Sequence, residues 1–345
     1  MSPAVRLIRA PDVAVIGAGL IGLAIALELS NRGATVTVID RGRSLSGAST
    51  AAAGMLAAED PGNPPELQSL SRLSIERYPA FLQRIEALSG LVVPFQTDAT
   101  IQYHNDGTTR RMAEHSLDPR QLAVALRSAV NSTPIRLLED AEVAAIEEDS
   151  AATRIHLSAG ETITTQAILF SAGAWTSEVL TQLDSELLSV TPRRGQMLRV
   201  HLPFPLNEVH RCENVYIVPR TRGPQAGTAL LGATVEDAGF DTSVHSDALR
   251  TLRALAAELF PGLASEVDAP MVESWAGLRP TTPDRLPVLG ACSRRGRFMA
   301  TGHYRNGILQ APATALVMAD LLEGRSPSID VSAFSPLRFG TSVLA

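Results

Sequence analysis

Residues 12–22 have the sequence DVAVIGAGLIG, which decides the fold of this chain. The apolar, β-branched run before Gly17 predicts a buried parallel strand, and the Ala- and Leu-rich run after Gly22 predicts a helix to about Asn31. Gly17 permits a tight turn, Gly19 lets backbone N–H groups approach a pyrophosphate, and Gly22 lets the helix pack closely on the strand. A phosphate would then lie at the helix N-terminus, where unpaired N–H groups and the helix dipole favour negative charge.

A second strand is predicted at residues 34–39, and Asp40 follows it. An acid about 20 residues beyond the glycines can accept a hydrogen bond from a ribose 2′-hydroxyl and would repel a 2′-phosphate, which disfavours NADP. Ala26 and Gly33 extend the pattern to the longer spacing typical of FAD-binding proteins. The alternative is that the glycines only turn a corner, but the preceding strand and the following acid favour a dinucleotide site.

Residues 46–58, SGASTAAAGMLAA, are a run of small side chains just beyond the second strand. Small side chains allow a backbone to pass close to a flat ring, such as that of a flavin. The alternative is a helix that begins here and is capped by Ser49 or Thr50. The residues of this run leave both interpretations open.

The composition excludes several classes of protein. The formal net charge of −6 and the 4% aromatic content argue against a nucleic-acid partner, because such a partner requires a basic face and stacking rings. The chain contains no lysine, which excludes Schiff-base chemistry and pyridoxal-phosphate anchoring. The apolar and charged contents of 45% and 19% are those of an ordinary globular protein.

Cysteine and histidine spacing predicts neither a disulfide framework nor a metal site. Cys212 and Cys292 lie far apart, and the seven histidines are scattered. This cysteine use fits a reducing compartment, so we expect a cytoplasmic protein. No signal peptide is evident, and the apolar run 13–27 is shorter than the roughly 20 residues of a membrane span.

The middle of the chain predicts alternating strands and helices. The expected elements are a helix over 66–89 with a break before Pro79, a strand pair at 91–95 and 99–103, a helix from Asp118 to about Val130, a third parallel strand at 135–138, an antiparallel meander over 141–164 broken at Asp149-Ser150, and a buried strand at 166–170. Gly173 follows that last strand, which places a second glycine turn beside the cofactor site.

From residue 190 to about 275 the pattern changes to strands and turns with one helix near 246–260, which predicts a substrate-side sheet inserted into the nucleotide-binding fold. A strand at 297–301 and a helix at 307–322 then return to that fold. The N-terminus of this last helix would favour a flavin that becomes negative on reduction. We expect the last dozen residues to be a loose tail.

Two arginines suggest what the cofactor acts on. Arg279 lies in GLRP, residues 277–280, and Arg305 lies in GHYRNG, residues 302–307. A guanidinium matches a carboxylate bidentately, so a redox cofactor facing such a group predicts oxidation of a small carboxylic acid such as an amino acid. The alternatives are a structural salt bridge for Arg279, for example to Asp284, and a solvated charge for Arg305. We expect the adjacent pair Arg193 and Arg194 to be solvated turn charges.

Five segments make the chain resemble glycine oxidases of the D-amino-acid oxidase superfamily. They are AAAGML at 51–56, YIVPR at 216–220, GATVED at 232–237, WAGLRPTTPD at 275–284 and GHYRNGILQAPA at 302–313. The matches run in order from residue 13 to about 323. Together they are highly specific, although each alone is modest.

The resemblance implies an FAD-dependent oxidase of glycine, sarcosine or small D-amino acids that uses molecular oxygen. It implies an α/β fold with a Rossmann-type FAD-binding domain (residues 1–90, 118–188 and 280–345) and an inserted, mainly antiparallel-sheet substrate-binding domain (residues 91–117 and 189–279). Whether the protein forms a homo-oligomer and whether it serves thiamine thiazole synthesis stay open.

The resemblance implies three catalytic residues, Arg279, Tyr216 and Arg305. Arg279 would bind the substrate carboxylate, Tyr216 would offer its hydroxyl to the substrate, and Arg305 would lie in a loop beside the flavin. A core tyrosine is the alternative for Tyr216. With the glycines above, the predicted FAD contacts are Gly17, Gly19, Leu20, Ile21, Gly22, Asp40, Arg41, Ala48, Ser49, Ala53, Gly54, Met55, Val143, Gly173, Gly302, His303, Tyr304, Arg305, Asn306, Gly307, Ile308 and Leu309. We expect no metal, and we expect His303 to be a packed ring or a backbone contact.

The chain departs from its relatives in three ways. Some relatives carry a histidine where this chain has Asn214. The family usually has a much longer helical segment in the region that corresponds to residues 104–117, and this chain lacks it. Monomeric sarcosine oxidases, which resemble it in fold, use a flavin-side lysine and link FAD to a cysteine near the region matching 276–279. This chain has neither residue there, so we expect FAD to bind non-covalently.

Three other functions stay in competition at the level of sequence. One is a D-amino-acid or secondary-amine dehydrogenase with a quinone or dye as acceptor, and another is a non-catalytic flavin-binding subunit. The third, an NAD-dependent dehydrogenase, is weakened by the glycine turn at 302–307 and the small-residue run.

Overall fold

The computed structural model describes residues 12–148, 152–183 and 188–339. Its strands are β1 (Asp12–Ile16), β2 (Thr35–Ile39), β3 (Phe95–Thr97), β4 (Thr100–Tyr103), β5 (Thr109–Met112), β6 (Ser116–Leu117), β7 (Arg136–Leu138), β8 (Val143–Glu148), β9 (Thr153–Leu157), β10 (Thr162–Thr165), β11 (Ala167–Phe170), β12 (Thr191–His201), β13 (Val209–Arg211), β14 (Tyr216–Arg220), β15 (Thr228–Gly232), β16 (Met271–Thr281), β17 (Val288–Ala291) and β18 (Arg297–Thr301). Its α-helices are α1 (Leu20–Asn31), α2 (Ala48–Ala51), α3 (Gln68–Ser89), α4 (Pro119–Asn131), α5 (Thr176–Leu183), α6 (Ser246–Leu259) and α7 (Gly307–Leu322).

The first sheet has six strands in the order β17-β18-β11-β1-β2-β7. All neighbours are parallel except β17, which runs antiparallel to β18. Parallel neighbours require a crossover connection, and α1 provides it between β1 and β2. The strands predicted at 12–16, 34–39, 135–138, 166–170 and 297–301 are therefore confirmed.

Both faces of this sheet are buried, as expected for a parallel sheet. Val13 and Val15 belong to a core that they share with α1, α3, α4 and α7. Ala14 and Ile16 point to the other face, where they pack with α5 and with the three-stranded meander β10-β9-β8. This meander confirms the prediction for residues 141–164, while the predicted break at Asp149-Ser150 lies outside the described residues.

The predicted helix break before Pro79 is wrong, because α3 continues through this residue. A proline inside a helix removes one backbone hydrogen bond and disturbs the preceding turn. Here α3 buries Tyr78 and Ile85, and the Tyr78 hydroxyl donates to the Ile308 carbonyl of α7 at 2.5 Å. We infer that this burial outweighs the local cost of the proline.

The second large sheet has seven strands in the order β16-β12-β15-β14-β13-β4-β5, antiparallel except for the β13–β4 pair. It contradicts the predicted pairing of 91–95 with 99–103. Residues 91–94 form no strand; β4 forms a hairpin with β5, and β3 pairs with β6. The reason is the turn at Asp106-Gly107, where Gly107 has φ of 83° and so suits a tight hairpin.

The chain thus combines a Rossmann-type parallel core with a second, mainly antiparallel sheet, as its sequence predicts, and α6 covers the outer face of the second sheet. The exact domain boundaries stay a prediction. The expected loose tail is wrong for its described part: Phe334 is buried, and Arg338 Nε donates to Asp284 Oδ2 at 2.7 Å. Residues 340–345 lie outside the described residues. No helix within 12–148, 152–183 and 188–339 has the length and apolar run that a bilayer crossing requires.

Candidate active site

A cavity of about 790 Å³ lies between the carboxyl ends of the central parallel strands and one face of the seven-stranded sheet. Ligands of open parallel sheets bind just beyond these strand ends. The predicted site residues that line the cavity are Gly17, Gly19, Leu20, Ile21, Asp40, Arg41, Ala48, Ser49, Ala53, Gly54, Met55, Val143, Gly173, Tyr216, Arg279, His303, Tyr304, Arg305, Asn306, Gly307 and Ile308.

Gly22, Gly302 and Leu309 were predicted as contacts but lie behind the cavity wall. A Cβ on Gly22 would overlap the Gly17 carbonyl, so this glycine allows α1 to pack on β1. Gly302 has φ of 75°, and a Cβ there would lie 2.8 Å from Thr282 Cγ2. Leu309 is buried in the helix core. These three residues support the wall and do not face the cavity.

The first glycine turn is held by Asp40, whose carboxylate accepts hydrogen bonds from the Ala18 N–H at 2.7 Å and the Gly42 N–H at 2.9 Å. Helix α1 begins at Leu20 with Gly19 as its N-cap, and its first turn carries no acidic side chain. The helix dipole at this end therefore faces the cavity without a competing carboxylate of its own, which suits a phosphate.

The small-residue run forms the short helix α2, but neither Ser49 nor Thr50 caps it. Gly47 is the N-cap and makes no side-chain hydrogen bond. Instead the Ser49 Oγ accepts from the Leu20 N–H at 2.9 Å, and the Thr50 hydroxyl donates to the Leu45 carbonyl at 3.0 Å. The capping alternative is wrong because these hydroxyls tie the run to neighbouring turns.

The loop before α7 brings His303 and Asn306 to the cavity. His303 Nε2 lies 3.1 Å from the Thr314 Oγ1, and burial lowers the pKa of this imidazole to about 3. The ring is therefore uncharged at neutral pH and packed, as expected. The Asn306 Nδ2 donates to Asn63 Oδ1 at 3.0 Å, which joins this loop to the turn after the small-residue run.

Two glycines make room for the functional side chains on the opposite wall. Tyr216 of β14 pairs with Gly232 of β15, and a Cβ on this glycine would lie 2.7 Å from the tyrosine ring. On β12, a Cβ on Gly195 would overlap the Arg279 guanidinium, which reaches across from β16. The sheet thus presents a phenol and a guanidinium side by side, each lying over a glycine.

The Tyr216 hydroxyl lies 3.7 Å from the Met197 sulfur in a largely apolar part of the cavity. Burial raises the pKa of this phenol, and the nearby Arg279 and Arg305 guanidinium groups partly offset that rise. Tyr216 is therefore protonated at neutral pH and can donate a hydrogen bond. Since it lines the cavity, it is not only a core tyrosine.

Arg279 is held by backbone carbonyls. Its NH1 donates to the Thr234 carbonyl at 3.0 Å and to the Arg194 carbonyl at 3.4 Å, and none of the described carboxylates forms an ion pair with it. The alternative salt bridge to Asp284 is wrong, because Asp284 is bound by Arg338. A half-buried guanidinium with no ion pair to a described acid can bind an anionic ligand.

Arg305 lies at the mouth of the same cavity, in a different setting. Its side chain is 38% exposed, and its NH2 forms an ion pair with Asp60 Oδ1 at 3.2 Å. Asp60 Oδ2 also lies 3.5 Å from the buried Arg211. Sequence reasoning missed Asp60, although its position in the turn after the small-residue run was a usable signal.

The sequence predicts that Arg193 and Arg194 are solvated turn charges, and this prediction is wrong for Arg194. Arg194 is buried on β12 and forms ion pairs with Glu236 and Asp241. These pairs hold the loop 233–245, and Phe240 of this loop stacks on Trp175 with ring centroids 5.6 Å apart. The acids that follow Gly232 were the sequence signal for this loop.

One protein family matches most of this chain, including the parallel core and its first glycine turn. The model of the DAO family, described as FAD dependent oxidoreductase, matches residues 12–116 and 110–321. The chain belongs to this family. Its cofactor is therefore FAD.

Individual relatives of this DAO-family protein show which members of the family it is similar to. It is 32% identical to a glycine oxidase from Geobacillus kaustophilus over 95% of this chain and 97% of the relative. The crystal structure of glycine oxidase from that organism superposes with a TM-score of 0.87 at 30% identity, covering 95% of this chain and 98% of the other. The chain is a glycine-oxidase-like FAD-dependent oxidoreductase.

A second kind of relative is longer. The chain is 34% identical to the bifunctional protein ThiO/ThiG of Trichormus variabilis over 95% of its own length but only 55% of that protein. The chain therefore spans about half the length of these bifunctional relatives.

The cavity residues of this DAO-family protein fit FAD on the protein's own geometry. Gly17 has φ of 112°, and a Cβ on it would lie 2.6 Å from the Ser171 carbonyl carbon, so only a glycine turn leaves the backbone open at this point. The acid-free N-terminus of α1 suits the pyrophosphate, and Asp40 lies at the end of β2 where a ribose is expected.

Proposed function

We propose that this chain catalyses the oxidative deamination of small amino acids, namely glycine, sarcosine or small D-amino acids. The substrate loses two electrons and two protons to become an imine, which water hydrolyses to an α-keto acid and ammonia or a small amine. When bound, FAD supplies the hydride acceptor and passes the electrons to molecular oxygen, which becomes hydrogen peroxide.

The observation that carries this proposal is Arg279, a half-buried guanidinium in the cavity that forms no ion pair with a described carboxylate. Two backbone carbonyls bind NH1, so the guanidinium plane is fixed before the ligand arrives. A substrate carboxylate would supply the missing anion through charge-assisted hydrogen bonds.

Tyr216 would provide the second contact. Its protonated hydroxyl lies on the same side of the sheet and is close enough to Arg279 for the guanidinium to affect its pKa. Two directional contacts to one carboxylate would fix the orientation of the α-carbon, and such positioning contributes several kcal/mol, on the order of 7 or more, to well-oriented reactions. We propose that Arg305 contributes a weaker contact, since Asp60 already binds it.

No side-chain base is needed if the amine enters in its neutral form. His303 is a poor base, because its ring is buried against the Thr314 hydroxyl and burial lowers its pKa to about 3. The chain's contribution to the chemistry is therefore binding, orientation and exclusion of water.

The residues proposed for FAD follow from the cavity. Asp40 would accept from the ribose, the α1 N-terminus would face the pyrophosphate, and the run that includes Ala53 to Met55 would lie along the ring. The region 276–279 has no cysteine, so we propose that FAD is held non-covalently.

A peroxide-coupled screen of the purified protein with glycine, sarcosine, D-alanine, D-proline and the L-forms tests the proposal. We expect peroxide from at least one small amino acid and anaerobic bleaching of the flavin by the same compound. Bleaching without peroxide under air would instead identify a dehydrogenase with another acceptor. Absence of bleaching by every compound would refute amino-acid oxidation.

A further inference from the structure

The small-residue run is held from behind by the antiparallel sheet. The Trp275 Nε1–H donates to the Ala51 carbonyl at 3.0 Å, and the Arg220 NH2 donates to the Ala53 carbonyl at 2.8 Å. Both donors come from the face of the sheet that also carries Tyr216. Two carbonyls of one short run are therefore bound by side chains from strands that lie more than 150 residues away in sequence.

The next residues of the run are also tied on their far side. The Gly54 carbonyl accepts from the Leu117 N–H at 2.9 Å, and the Leu56 N–H donates to the His115 carbonyl at 2.8 Å. A Cβ on Gly54, which has φ of 89°, would overlap the Leu117 carbonyl. The run is thus pressed against the strands behind it, which leaves its other side to the cavity.

This anchoring has a directional consequence at Gly54. In a trans peptide the carbonyl and the following N–H point in opposite directions. Because Arg220 binds the Ala53 carbonyl, the Gly54 N–H points away from Arg220. Gly54 lines the cavity, and within the described residues its N–H has no hydrogen-bond acceptor.

Arg220 is an expensive residue to bury only for packing. Its side chain is 1% exposed, none of the described residues accepts a hydrogen bond from its Nε or NH1, and Asp118 Oδ2 lies 3.8 Å from Nε. Burial lowers the pKa of this guanidinium to about 10, so it still carries its charge at neutral pH. A buried charge with one good hydrogen bond and one long ion pair costs free energy, so the bond to the Ala53 carbonyl is the main contact that compensates its burial.

We propose that Arg220, assisted by Trp275, is a positioning residue for the flavin: it holds the Ala51–Ala53 carbonyls back and thereby directs the Gly54 N–H to an acceptor atom of the flavin ring. The proposal rests on the FAD site described under the proposed function. It assigns to the substrate-side sheet a role in shaping the cofactor side of the cavity.

Arg199 offers a matched control. It is buried to the same degree as Arg220, on the same sheet, and its Nε and NH1 also lack hydrogen-bond partners in the described part of the chain. It lies 3.3 Å from Glu273 and over the Trp275 ring, but it does not bond to the small-residue run. R199M therefore removes a comparable buried charge without touching the Ala53 carbonyl.

The experiment compares R220M, W275F and R199M with the unmodified protein, after circular dichroism has shown that each is folded. The readouts are the Kd of FAD for the reconstituted apoprotein and the visible absorption spectrum of the bound flavin. For R220M we expect the Kd to rise about tenfold or more, with a shift of the flavin bands, because a hydrogen bond to a charged donor is lost. W275F should act in the same direction but less, and R199M should stay within about twofold.

An equal rise of the Kd in R199M and R220M would overturn the proposal, because it would show that the charge and not the bond matters. Unchanged Kd and spectra in both R220M and W275F would also overturn it. If R220M does not fold, W275F against R199M decides the question. No amino acid is present in these measurements, so a failed substrate screen with the expected Kd changes would refute the proposed function and leave this inference standing.

Discussion

The two walls of the cavity are built on different principles. The parallel-sheet wall uses backbone turns at strand ends, such as residues 17–19 and the loop 303–307, which line the cavity. The antiparallel wall uses side chains, Tyr216 and Arg279, which lie over glycines of neighbouring strands. The first wall depends on local chain geometry, and the second depends on which strands lie side by side.

The two walls should therefore differ in how they tolerate the substitution of a glycine by alanine. On the turn wall an added Cβ meets rigid backbone atoms, so the fold itself must change. On the sheet wall an added Cβ meets the far end of a flexible side chain, so function should change before stability does. Three pairs of variants test these expectations.

The largest effect is expected on the turn wall, for G17A. The new Cβ would overlap the Ser171 carbonyl in a backbone conformation, φ of 112°, that favours glycine, so we expect a loss of several kcal/mol, roughly 3 or more, in the free energy of unfolding and little bound FAD. G33A is the control, since Gly33 has φ of 86° but open space around it. Its free energy of unfolding should fall by about 1–2 kcal/mol. Urea unfolding and the flavin content after purification measure both; equal losses would contradict the steric explanation.

The second effect compares two guanidinium groups of the same cavity. For R279M we expect kcat/KM to fall about 30-fold or more, mainly through KM, because the substrate carboxylate loses a charged partner. For R305M we expect kcat/KM to fall less than about tenfold, since Arg305 is partly exposed and already paired with Asp60. Steady-state kinetics on the best substrate of the screen measure the two. A larger loss of kcat/KM in R305M than in R279M would indicate that the substrate carboxylate binds at the cavity mouth and not at Arg279.

The smallest effect is expected for G195A on the sheet wall. The atoms nearest to its Cβ would be those of the Arg279 guanidinium, the end of a flexible side chain, so KM should rise about tenfold while the unfolding free energy stays within about 1 kcal/mol. G262A is the control, because its Cβ would approach the Phe204 ring, away from the cavity, at 2.8 Å. Unchanged KM in G195A would show that Arg279 has room to move, which would weaken the proposed carboxylate contact.

Local patterns predicted the turn wall well. The strand, glycine turn and helix at 12–31 are present, and Asp118 caps α4 by accepting from the Arg120 N–H at 2.9 Å. Such features depend on residues a few positions apart, so composition and spacing are sufficient. Asp40 lies where expected, but its bonds to Ala18 and Gly42 became visible only in three dimensions.

Predictions that required a balance between local and distant interactions failed. Pro79 does not break α3, because packing on α7 stabilises the helix as a whole. The strand pair at 91–103 was wrong because the turn at Asp106-Gly107 joins β4 to β5, and the other neighbour of β4 is β13, from a distant part of the chain. Arg194 was assigned to solvent because its partners, Glu236 and Asp241, lie more than 40 residues further along the chain.

The sequence by itself determined a dinucleotide-binding α/β fold, the positions of its glycine turns and, through its resemblance, the family of FAD-dependent oxidoreductases. Only the tertiary structure decided that Arg279 lies over Gly195 without a carboxylate partner among the described residues, that Arg305 is bound by Asp60, and that Arg220 and Trp275 bind carbonyls of the small-residue run. The physical reason is that turns form from neighbouring residues, whereas a guanidinium finds its partner through the register of strands far apart in the chain.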